Sequence, residues 1–294
     1  MTTYDIEQIF SKNVELLSEM SEAEKRMTPP GDGPLPSVAA LNDLIENVKM
    51  VIFPEFFDRR RNCRTLRSSI IAVKVEKIFN ILSAEVAKGF QLEGRTSCEV
   101  IADHSQRLAS NFINTLPEIK RLLYTDVQAM FNNDPAVDDY SEIILSYPVV
   151  QAMLHYRVAH ALLRLGIPVL PRVLTELAHS ATGIDINPGA EIGEYFAIDH
   201  GTGVVIGQTC IIGNHVTIYQ GVTLGARNFT INDEGHPINV PRHPIIEDNV
   251  TIYSNASILG RITVGRNSII GGNVWLTTSV APGSRIVQSS HTHK

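Results

Sequence analysis

Aliphatic positions between residues 185 and 225 recur every six residues. The first series, broken by one slip of two residues, comprises Ile186, Ile192, Ile198 and Val204, then Ile206, Ile212, Ile218 and Leu224. A companion series of mostly small or aliphatic residues runs alongside it through Thr202, Val204, Cys210, Val216 and Val222. A period of six fits neither an amphipathic helix nor an alternating strand. It predicts a hexapeptide parallel β-helix, in which six residues form one face of a three-sided prism.

The count stops after Leu224 and resumes at Ile246, and the distance between these two positions is not a multiple of six. It continues through Ile252, Ile258, Val264, Ile270 and Leu276. The segment between is rich in Gly, Pro and Asn, so we expect a loop extruded from the prism at residues 226–243. We therefore place the β-helix at residues 181–282 and a flexible tail at 283–294.

Upstream of the repeat, apolar positions follow helical spacing. We predict helices over residues 1–27, from an N-cap at Ser37 to about Phe56, over 64–88, over 149–165 and over 171–179, and one or two helices over 96–131. Leu116-Pro117 indicates a boundary, and Asn-Asn-Asp-Pro at 132–135 a turn. The fold class is thus α+β, with an α-helical N-terminal domain over residues 1–180 followed by the β-helix.

Composition and charge narrow the function. A net charge of −6 offers no basic patch for nucleic acid or anionic lipid. Cys63, Cys98 and Cys210 are far apart and form no disulfide framework, which suits a reducing compartment. The N-terminus lacks the features of a signal peptide, and no apolar run is long enough for a membrane span. We expect a cytoplasmic protein with neither a nucleic-acid nor a membrane partner.

The prism interior is filled by Ile, Val and Leu, so function must lie on outer faces, loops or subunit boundaries. The slip in the repeat falls at Ile-Asp-His-Gly-Thr-Gly, residues 198–203, and directs Asp199 and His200 outward. Asp185 also points outward, between Ile184 and Ile186. A histidine held by a carboxylate is a general base at neutral pH. The alternative is that His200 is only an exposed corner residue.

Two further polar positions interrupt the pattern. Arg242 and His243 end the extruded loop, where Arg242 is either a loop charge or a forked binder of a carboxylate. Asp134, in the turn before the last helices, is either a helix cap or a substrate ligand. Cys210 occupies an inward position, so we interpret it as a packing residue.

Six segments together resemble the serine O-acetyltransferases of cysteine biosynthesis, over about residues 120–282. They are DPAVDDYS at 134–141, HYRVAHALL at 155–163, GIDINPGAEIG at 183–193, IDHGTGVVIG at 198–207, YQGVTLGA at 219–226 and RHPIIEDNV at 242–250. The resemblance implies a left-handed β-helix, trimers or dimers of trimers, and acetyl transfer from acetyl-CoA to the hydroxyl of L-serine. It implies no metal and no tightly bound cofactor.

The resemblance also assigns roles. It makes His200 the general base and Asp185 its orienting partner, and gives the serine ammonium and hydroxyl to Asp134 and Asp199. It gives the serine carboxylate to Arg242 and His243, and places acetyl-CoA against Gly225, Ala226, Gly271 and Gly272. An oxyanion donor is expected among the backbone N–H groups of residues 220–225. Cysteine would inhibit in the serine site.

Two departures from the family pattern carry expectations of their own. A loop replaces the short GGTGK-type segment of many family members, and it could close over the site as a lid. Members that dock into the sulfhydrylase end in Ile, whereas this chain ends in Lys294. We therefore do not expect the sulfhydrylase complex.

Three other functions fit a hexapeptide prism. An acyltransferase for a sugar or another hydroxyl acceptor would not need both Asp134 and Arg242, which together suit a free amino acid. A γ-type carbonic anhydrase would hold zinc by three histidines across a subunit boundary, for which His200, His215 and His243 are available. A non-enzymatic scaffold would lack the polar motifs at 198–203 and 242–244.

Overall fold

The computed structural model describes residues 3–30, 33–57, 66–94, 98–228 and 230–288 of the chain. Helices occupy the sequence as far as Thr182, and short strands follow from Asp185. No helix in these ranges is long and apolar enough to cross a membrane. Cys210 is buried, as its inward position predicts, whereas Cys63 lies outside the described residues.

The helices are more numerous than the sequence pattern predicts. They are α1 (Thr3–Ser18), α2 (Glu22–Met27), α3 (Val38–Ile52), α4 (Pro54–Phe57), α5 (Arg67–Leu92), α6 (Cys98–Asn133), α7 (Tyr140–Ser146), α8 (Pro148–Arg164) and α9 (Leu170–Thr182). The predicted first helix is two, because Ser21 starts α2 with a capping box to Glu24. Ser37 caps α3 as predicted.

The helix boundary expected at Leu116-Pro117 is wrong, because α6 continues through Pro117. Phe112, Leu116 and Ile119 are each at most 4 % exposed and pack the helix on both sides of the proline. Burial here outweighs the local preference against proline inside a helix.

The strands form a three-sided parallel β-helix, which confirms the predicted fold class. Face 1 contains β1 (Asp185–Ile186), β4 (Val205–Ile206), β7 (Thr223–Gly225), β10 (Ser257–Leu259) and β13 (Trp275–Leu276). Face 2 contains β2 (Glu191–Ile192), β5 (Ile211–Ile212), β8 (Ile245–Ile246) and β11 (Thr263–Val264). Face 3 contains β3 (Ala197–Asp199), β6 (Thr217–Tyr219), β9 (Thr251–Ile252), β12 (Ile269–Ile270) and β14 (Arg285–Ile286).

The strand register shows how the coils absorb the irregularities. On face 1, Val205 pairs with Thr223, which lies three whole hexapeptides further along the chain. Asp185 pairs with Val205, which lies one coil and the slip further along, so the slip falls within the first coil. Thr223 pairs with Ser257, so their coil holds the extruded loop in addition to its three hexapeptides. The slip and the loop therefore add residues only at corners of the prism. The inward-pointing side chains of successive coils stay in register.

The tail prediction requires a correction. β14 pairs with β12, so the β-helix continues beyond residue 282 and through Ile286. The polar residues 289–294 lie outside the described ranges.

A buried ion pair joins the helices to the first coil. The Arg157 side chain on α8 is 4 % exposed and that of Asp126 on α6 is 1 % exposed, with an N–O distance of 3.0 Å. Arg157 also donates to the carbonyls of Ile192 and Gly193, each at 2.7 Å. Asp126 accepts from the N–H of Phe196 at 3.2 Å. Both charges are thus satisfied at the corner between faces 2 and 3, and α6 is fixed against the prism.

Replacement of Arg157 tests the importance of this pair. Arg157→Met leaves Asp126 buried without its cation, so we expect a loss of about 3–5 kcal/mol in the free energy of unfolding. Urea denaturation followed by circular dichroism measures it. The control is Arg107→Met, which removes an exposed pair with Asp103 and is expected to lose at most about 1 kcal/mol. Equal losses in the two variants would contradict the anchoring role.

Candidate active site

His200 lies where the chain passes from face 3 to face 1. His200, Gly201 and Gly203 have φ of 58°, 86° and 78°, so the two-residue slip is accommodated by left-handed backbone. Left-handed residues also occur at regular corners, for example Tyr195 and His215, so the slip distinguishes this corner and the left-handed φ does not. The His200 side chain is 75 % exposed, and its Nε2 is 3.8 Å from Asp199 Oδ1. The sequence prediction that Asp199 and His200 project outward at this corner is confirmed.

The C-terminal end of α6 brings a second carboxylate to the same corner. Asp134 follows α6 and faces Asp199 across a small pocket, which we call the carboxylate pocket. Its walls are formed by Met130, Asn133, Asp134, Tyr147, Ala197, Ile198, Asp199 and Thr217. Asn133 Nδ2 donates to Thr217 Oγ1 at 3.0 Å and ties the helix end to face 3. Two carboxylates around one small pocket are suited to a cation such as an ammonium group.

Hydrogen bonds keep Asp134 ionised. The Tyr147 hydroxyl donates to Asp134 Oδ2 at 2.6 Å, and the N–H of Ala136 donates to Oδ1 at 2.9 Å. These two bonds lower the pKa of Asp134, with a smaller contribution from the charge of His200. The bond to Asp134 raises the pKa of Tyr147 to about 12. Asp134 is therefore anionic and held in place at neutral pH.

No hydrogen bond or ion pair joins Asp185 to His200 in the part of the chain that the structure describes. The Asp185 Oδ1 is 3.5 Å from Arg172 of α9, which also pairs with Glu176. Among the described residues, the carboxylate within ion-pair distance of His200 is that of Asp199. The register nevertheless places both residues at one corner, since Asp185 pairs with Val205 at the start of face 1 and His200 begins the turn that leads from face 3 to Val205. The expected pairing is absent from this arrangement of the chain.

Arg242 and His243 lie at a different corner, between faces 1 and 2. The N–H of Arg242 donates to Thr209 Oγ1 at 2.9 Å, and its Nη1 donates to Asn239 Oδ1 at 3.1 Å. The His243 ring covers Gly207, where any Cβ would occupy the space of the ring. Gly207 follows β4, so this corner and that of His200 border opposite edges of face 1. One chain therefore keeps its carboxylate pocket and its Arg242 apart.

The protonation of His243 follows from its contacts. Burial, followed by the charges of Arg242 and Arg261, lowers the pKa of His243 to about 4. The ring is therefore neutral at neutral pH. The N–H of Thr209 donates to His243 Nδ1 at 3.1 Å, so the ring proton is on Nε2. His243 thus offers one N–H donor, which suits an anionic group.

The residues expected to contact acetyl-CoA are divided between the same two corners. Gly225 ends β7 and Ala226 begins the extruded loop, beside the corner of Arg242. Gly271 and Gly272 turn between faces 3 and 1, three coils beyond His200. The expected oxyanion donors are partly engaged, because the N–H groups of Gly221, Val222 and Thr223 bond to backbone carbonyls.

The extruded loop has a structure of its own. The N–H of Ile238 donates to the Thr230 carbonyl at 2.9 Å, and an antiparallel bridge joins Ile231 to Pro237. Most of the loop is exposed. Its closure as a lid stays a prediction.

Two residues near the site are not predicted from the sequence. Tyr147 holds Asp134 from the junction of α7 and α8, and no spacing rule indicates that contact. Gln220 is stacked next to His200, because Asp199 pairs with Tyr219 on the next coil. The Gln220 Oε1 atom is buried and has no hydrogen-bond partner among the described residues. Gln220 follows His200 by one slipped coil, and this spacing is a signal that could have revealed it.

The three histidines of a zinc site are also separated. His200, His215 and His243 occupy the three different corners of the prism. His215 stacks on Tyr195, with ring centroids 4.4 Å apart. A zinc ion bound by these three histidines would therefore require three different corners of the prism to meet. His215 packs against the Tyr195 ring.

Comparison with known proteins was made by sequence and by structure. Residues 243–278 match the family model described as "Bacterial transferase hexapeptide (six repeats)". A protein of Synechococcus elongatus named "Serine acetyltransferase, plasmid" is 46 % identical over 263 residues, 87 % of this chain and 82 % of that protein. A serine acetyltransferase of Bacillus licheniformis is 45 % identical over 177 residues, 58 % of this chain and 78 % of that protein. The solved structure of Entamoeba histolytica serine acetyltransferase 1 in complex with L-cysteine is similar at a TM-score of 0.73 and 34 % identity, covering 93 % of this chain and 94 % of that one.

The bond between Tyr147 and Asp134 predicts a titration shift. Tyr147→Phe removes the largest cause that lowers the pKa of Asp134, so this pKa is expected to rise toward its ordinary value of 3.8. Carbon-13 NMR of labelled aspartate carboxyls measures the titration, with Asp134→Asn to assign the signal. Tyr140→Phe is the matched control, because the Tyr140 ring stacks on Phe131 in the same region. An unchanged Asp134 titration in Tyr147→Phe would show that the hydrogen bond is not formed in solution.

Proposed function

The chain belongs to the serine acetyltransferase family, and we propose that it transfers the acetyl group of acetyl-CoA to the hydroxyl of L-serine. The products are O-acetyl-L-serine and CoA, and the reaction is the first step of cysteine biosynthesis. The observation that supports this most directly is the carboxylate pocket, in which Asp134 and Asp199 lie beside the exposed His200. An ammonium group fits the carboxylates and leaves the neighbouring hydroxyl close to an imidazole.

We assign the serine ammonium group to Asp134 and Asp199. Tyr147 supports the first of these by holding Asp134 ionised. The serine carboxylate needs a cation, for which Arg242 and the Nε2–H of His243 are suited. Because these lie across face 1 from His200, they reach the same substrate only from another copy of the chain.

A trimer satisfies this requirement. In a closed three-fold ring, the corner between faces 1 and 2 of one copy meets the corner between faces 3 and 1 of the next. The contact surface is partly apolar, since Trp275 on face 1 is 71 % exposed and Val205 is 37 % exposed. Each of three equivalent sites then combines His200 of one copy with Arg242 of its neighbour.

The proposed reaction needs no covalent acyl-enzyme, because a thioester is already activated. His200 accepts the proton of the serine hydroxyl as its oxygen attacks the thioester carbonyl. The tetrahedral intermediate collapses with cleavage of the carbon–sulfur bond, and His200 returns the proton to the thiolate of CoA. General-base help of this kind contributes about 10²–10⁴-fold. Holding both substrates together contributes up to about 7–11 kcal/mol.

The orientation of His200 has two candidate carboxylates. Asp199 lies within 3.8 Å, whereas Asp185 is engaged by Arg172 in the single chain. We keep Asp185 as the orienting partner in the assembled enzyme, where release from Arg172 would free it. Asp199 is the alternative.

We propose that the co-substrate acetyl-CoA lies along the corner between faces 3 and 1, from His200 toward Gly271 and Gly272. Successive coils place Tyr219 and Tyr253 there, with ring centroids 5.0 Å apart. Gly225 and Ala226 of the neighbouring copy border the other side. Glycine permits close approach of the chain to the pantetheine arm.

Binding of L-cysteine in the same site is proposed from the Entamoeba histolytica complex. Cysteine carries the same ammonium and carboxylate groups, so it would compete with serine for Asp134 and Arg242. A cytoplasmic location stays a prediction from the sequence.

Release of free CoA thiol tests the reaction. We expect thiol release that depends on L-serine, and a loss of about 10²–10⁴-fold in kcat for His200→Ala. Asp134→Asn and Arg242→Ala are expected mainly to raise the KM for serine. His236→Ala, in the exposed loop, is the control. Turnover with a sugar but not with L-serine would support the rival acyltransferase and reject our assignment of Asp134 and Arg242.

Mixing two impaired variants tests whether the site is shared, at a serine concentration far below the KM of Arg242→Ala, where neither variant alone releases appreciable thiol. Copies carrying His200→Ala and copies carrying Arg242→Ala are dissociated, combined in equal amounts and reassembled. Random trimers contain about one intact site in four, because each site takes His200 and Arg242 from different copies. Thiol release should recover to about a quarter of the native value. No recovery from demonstrably mixed trimers would place both residues in one chain's site.

A further inference from the structure

A second cavity lies among the helices, on the far side of Tyr147 from the carboxylate pocket. It has a volume of about 300 Å³ and is bounded by α3, α4, α8 and the ends of α7 and α9. We call it the helical cavity. Its apolar walls include Ile45, Phe53, Phe57 and Leu154. A space of this volume is at the lower end of those that bind small molecules.

A buried histidine lines the helical cavity. His155 is 4 % exposed, and its Nδ1 is 2.8 Å from the carbonyl of Gln151, which can only accept. The ring proton is therefore on Nδ1, and burial lowers the pKa of His155, which keeps the ring neutral. Its Nε2 has no hydrogen-bond partner within the described part of the chain. A neutral Nε2 is an acceptor, so it calls for a ligand with an N–H or ammonium donor.

Two opposite charges border the same cavity. Glu46 and Lys49 of α3 are paired at 2.6 Å, with 52 % and 26 % of their side chains exposed. The Lys49 Nζ also lies 4.7 Å from the centroid of the Phe57 ring. Surface pairs contribute at most about 1 kcal/mol, and this one is open to solvent on the Glu46 side, so a ligand can displace it. Adjacent positive and negative groups at the edge of a cavity that also has apolar walls match a free α-amino acid with an apolar side chain.

Tyr147 connects the helical cavity to the carboxylate pocket. It contributes to the walls of both, and its hydroxyl donates to Asp134 at 2.6 Å. It also ends α7 and precedes α8, so its backbone lies at the junction of two helices. A ligand that fits the present shape of the cavity favours the present position of Tyr147. That position holds Asp134 ready for an ammonium group.

We propose that the helical cavity binds a free apolar α-amino acid, with its carboxylate on Lys49 and its ammonium on Glu46 and His155 Nε2, and that occupancy increases affinity for L-serine through Tyr147. The binding half stands on the cavity alone. The coupling half rests on the proposed acetyl transfer to serine.

Calorimetric titration of the full-length protein, without acetyl-CoA or serine, tests binding. The probes are L-leucine, L-methionine and L-phenylalanine. We expect at least one to bind once per chain, with a Kd of about 10 µM to 1 mM. Lys49→Met and the cavity-filling Leu154→Trp should each weaken binding at least tenfold, by about 1.4 kcal/mol or more. Lys77→Met, which removes an exposed pair with Asp43 outside the cavity, should not.

Three results overturn the binding proposal. The first is that none of the probes binds. The second is that L-serine displaces the probe one for one and Asp134→Asn abolishes binding, which places the probe in the carboxylate pocket. The third is that 4-methylpentanoate, which lacks the ammonium group, binds as tightly as L-leucine. The Lys49→Met variant keeps the test valid if Leu154→Trp does not fold.

The coupling is measured separately by thiol release at varied L-serine. A saturating probe should lower the KM for serine about fivefold, a typical coupling between sites, with little change in kcat. The effect should be absent in Lys49→Met. Binding without any change in KM overturns the coupling alone. Absence of L-serine turnover, with probe binding intact, would instead reject the proposed function.

Discussion

The position of the candidate active site depends on one buried ion pair. Asp126 and Arg157 are both almost fully enclosed, and taking two charges out of water is expensive unless every polar atom finds a partner. Here the partners are the carbonyls of Ile192 and Gly193 and the N–H of Phe196. The pair can therefore be satisfied only when α6 and α8 rest on the first coil. That requirement fixes the end of α6, and so sets Asp134 against Asp199.

The β-helix supplies the other half of the geometry. Its interior is closed by aliphatic side chains from Ile186 to Leu276, so chemistry is confined to corners. Regular coils make regular corners, and the corner of His200 is the one where the six-residue count slips by two. The extruded loop brings Arg242 to a different corner. A single chain thus carries two complementary halves of a site, which explains why assembly and catalysis are joined in the proposal.

The β-helix and the outward direction of its corner residues could be predicted from the sequence, because a six-residue period identifies the side chains that point inward. Ile198 had to be inside, so Asp199 and His200 had to leave the prism beside it. The period also located the slip and the loop. It could not show that Asp185 is held by Arg172, because that contact joins face 1 to a helix outside the repeat. Tyr147 was missed for the same reason. Pro117 misled the helix prediction because packing around Phe112 and Ile119 outweighs a local preference.

A crystal structure of the protein with L-serine bound tests the central claim most directly. The chain geometry predicts the serine ammonium between Asp134 and Asp199, its hydroxyl beside His200, and its carboxylate on Arg242 of a neighbouring copy. Serine held entirely by residues of one chain, or bound away from Asp134, would contradict the shared site on which the proposed function depends.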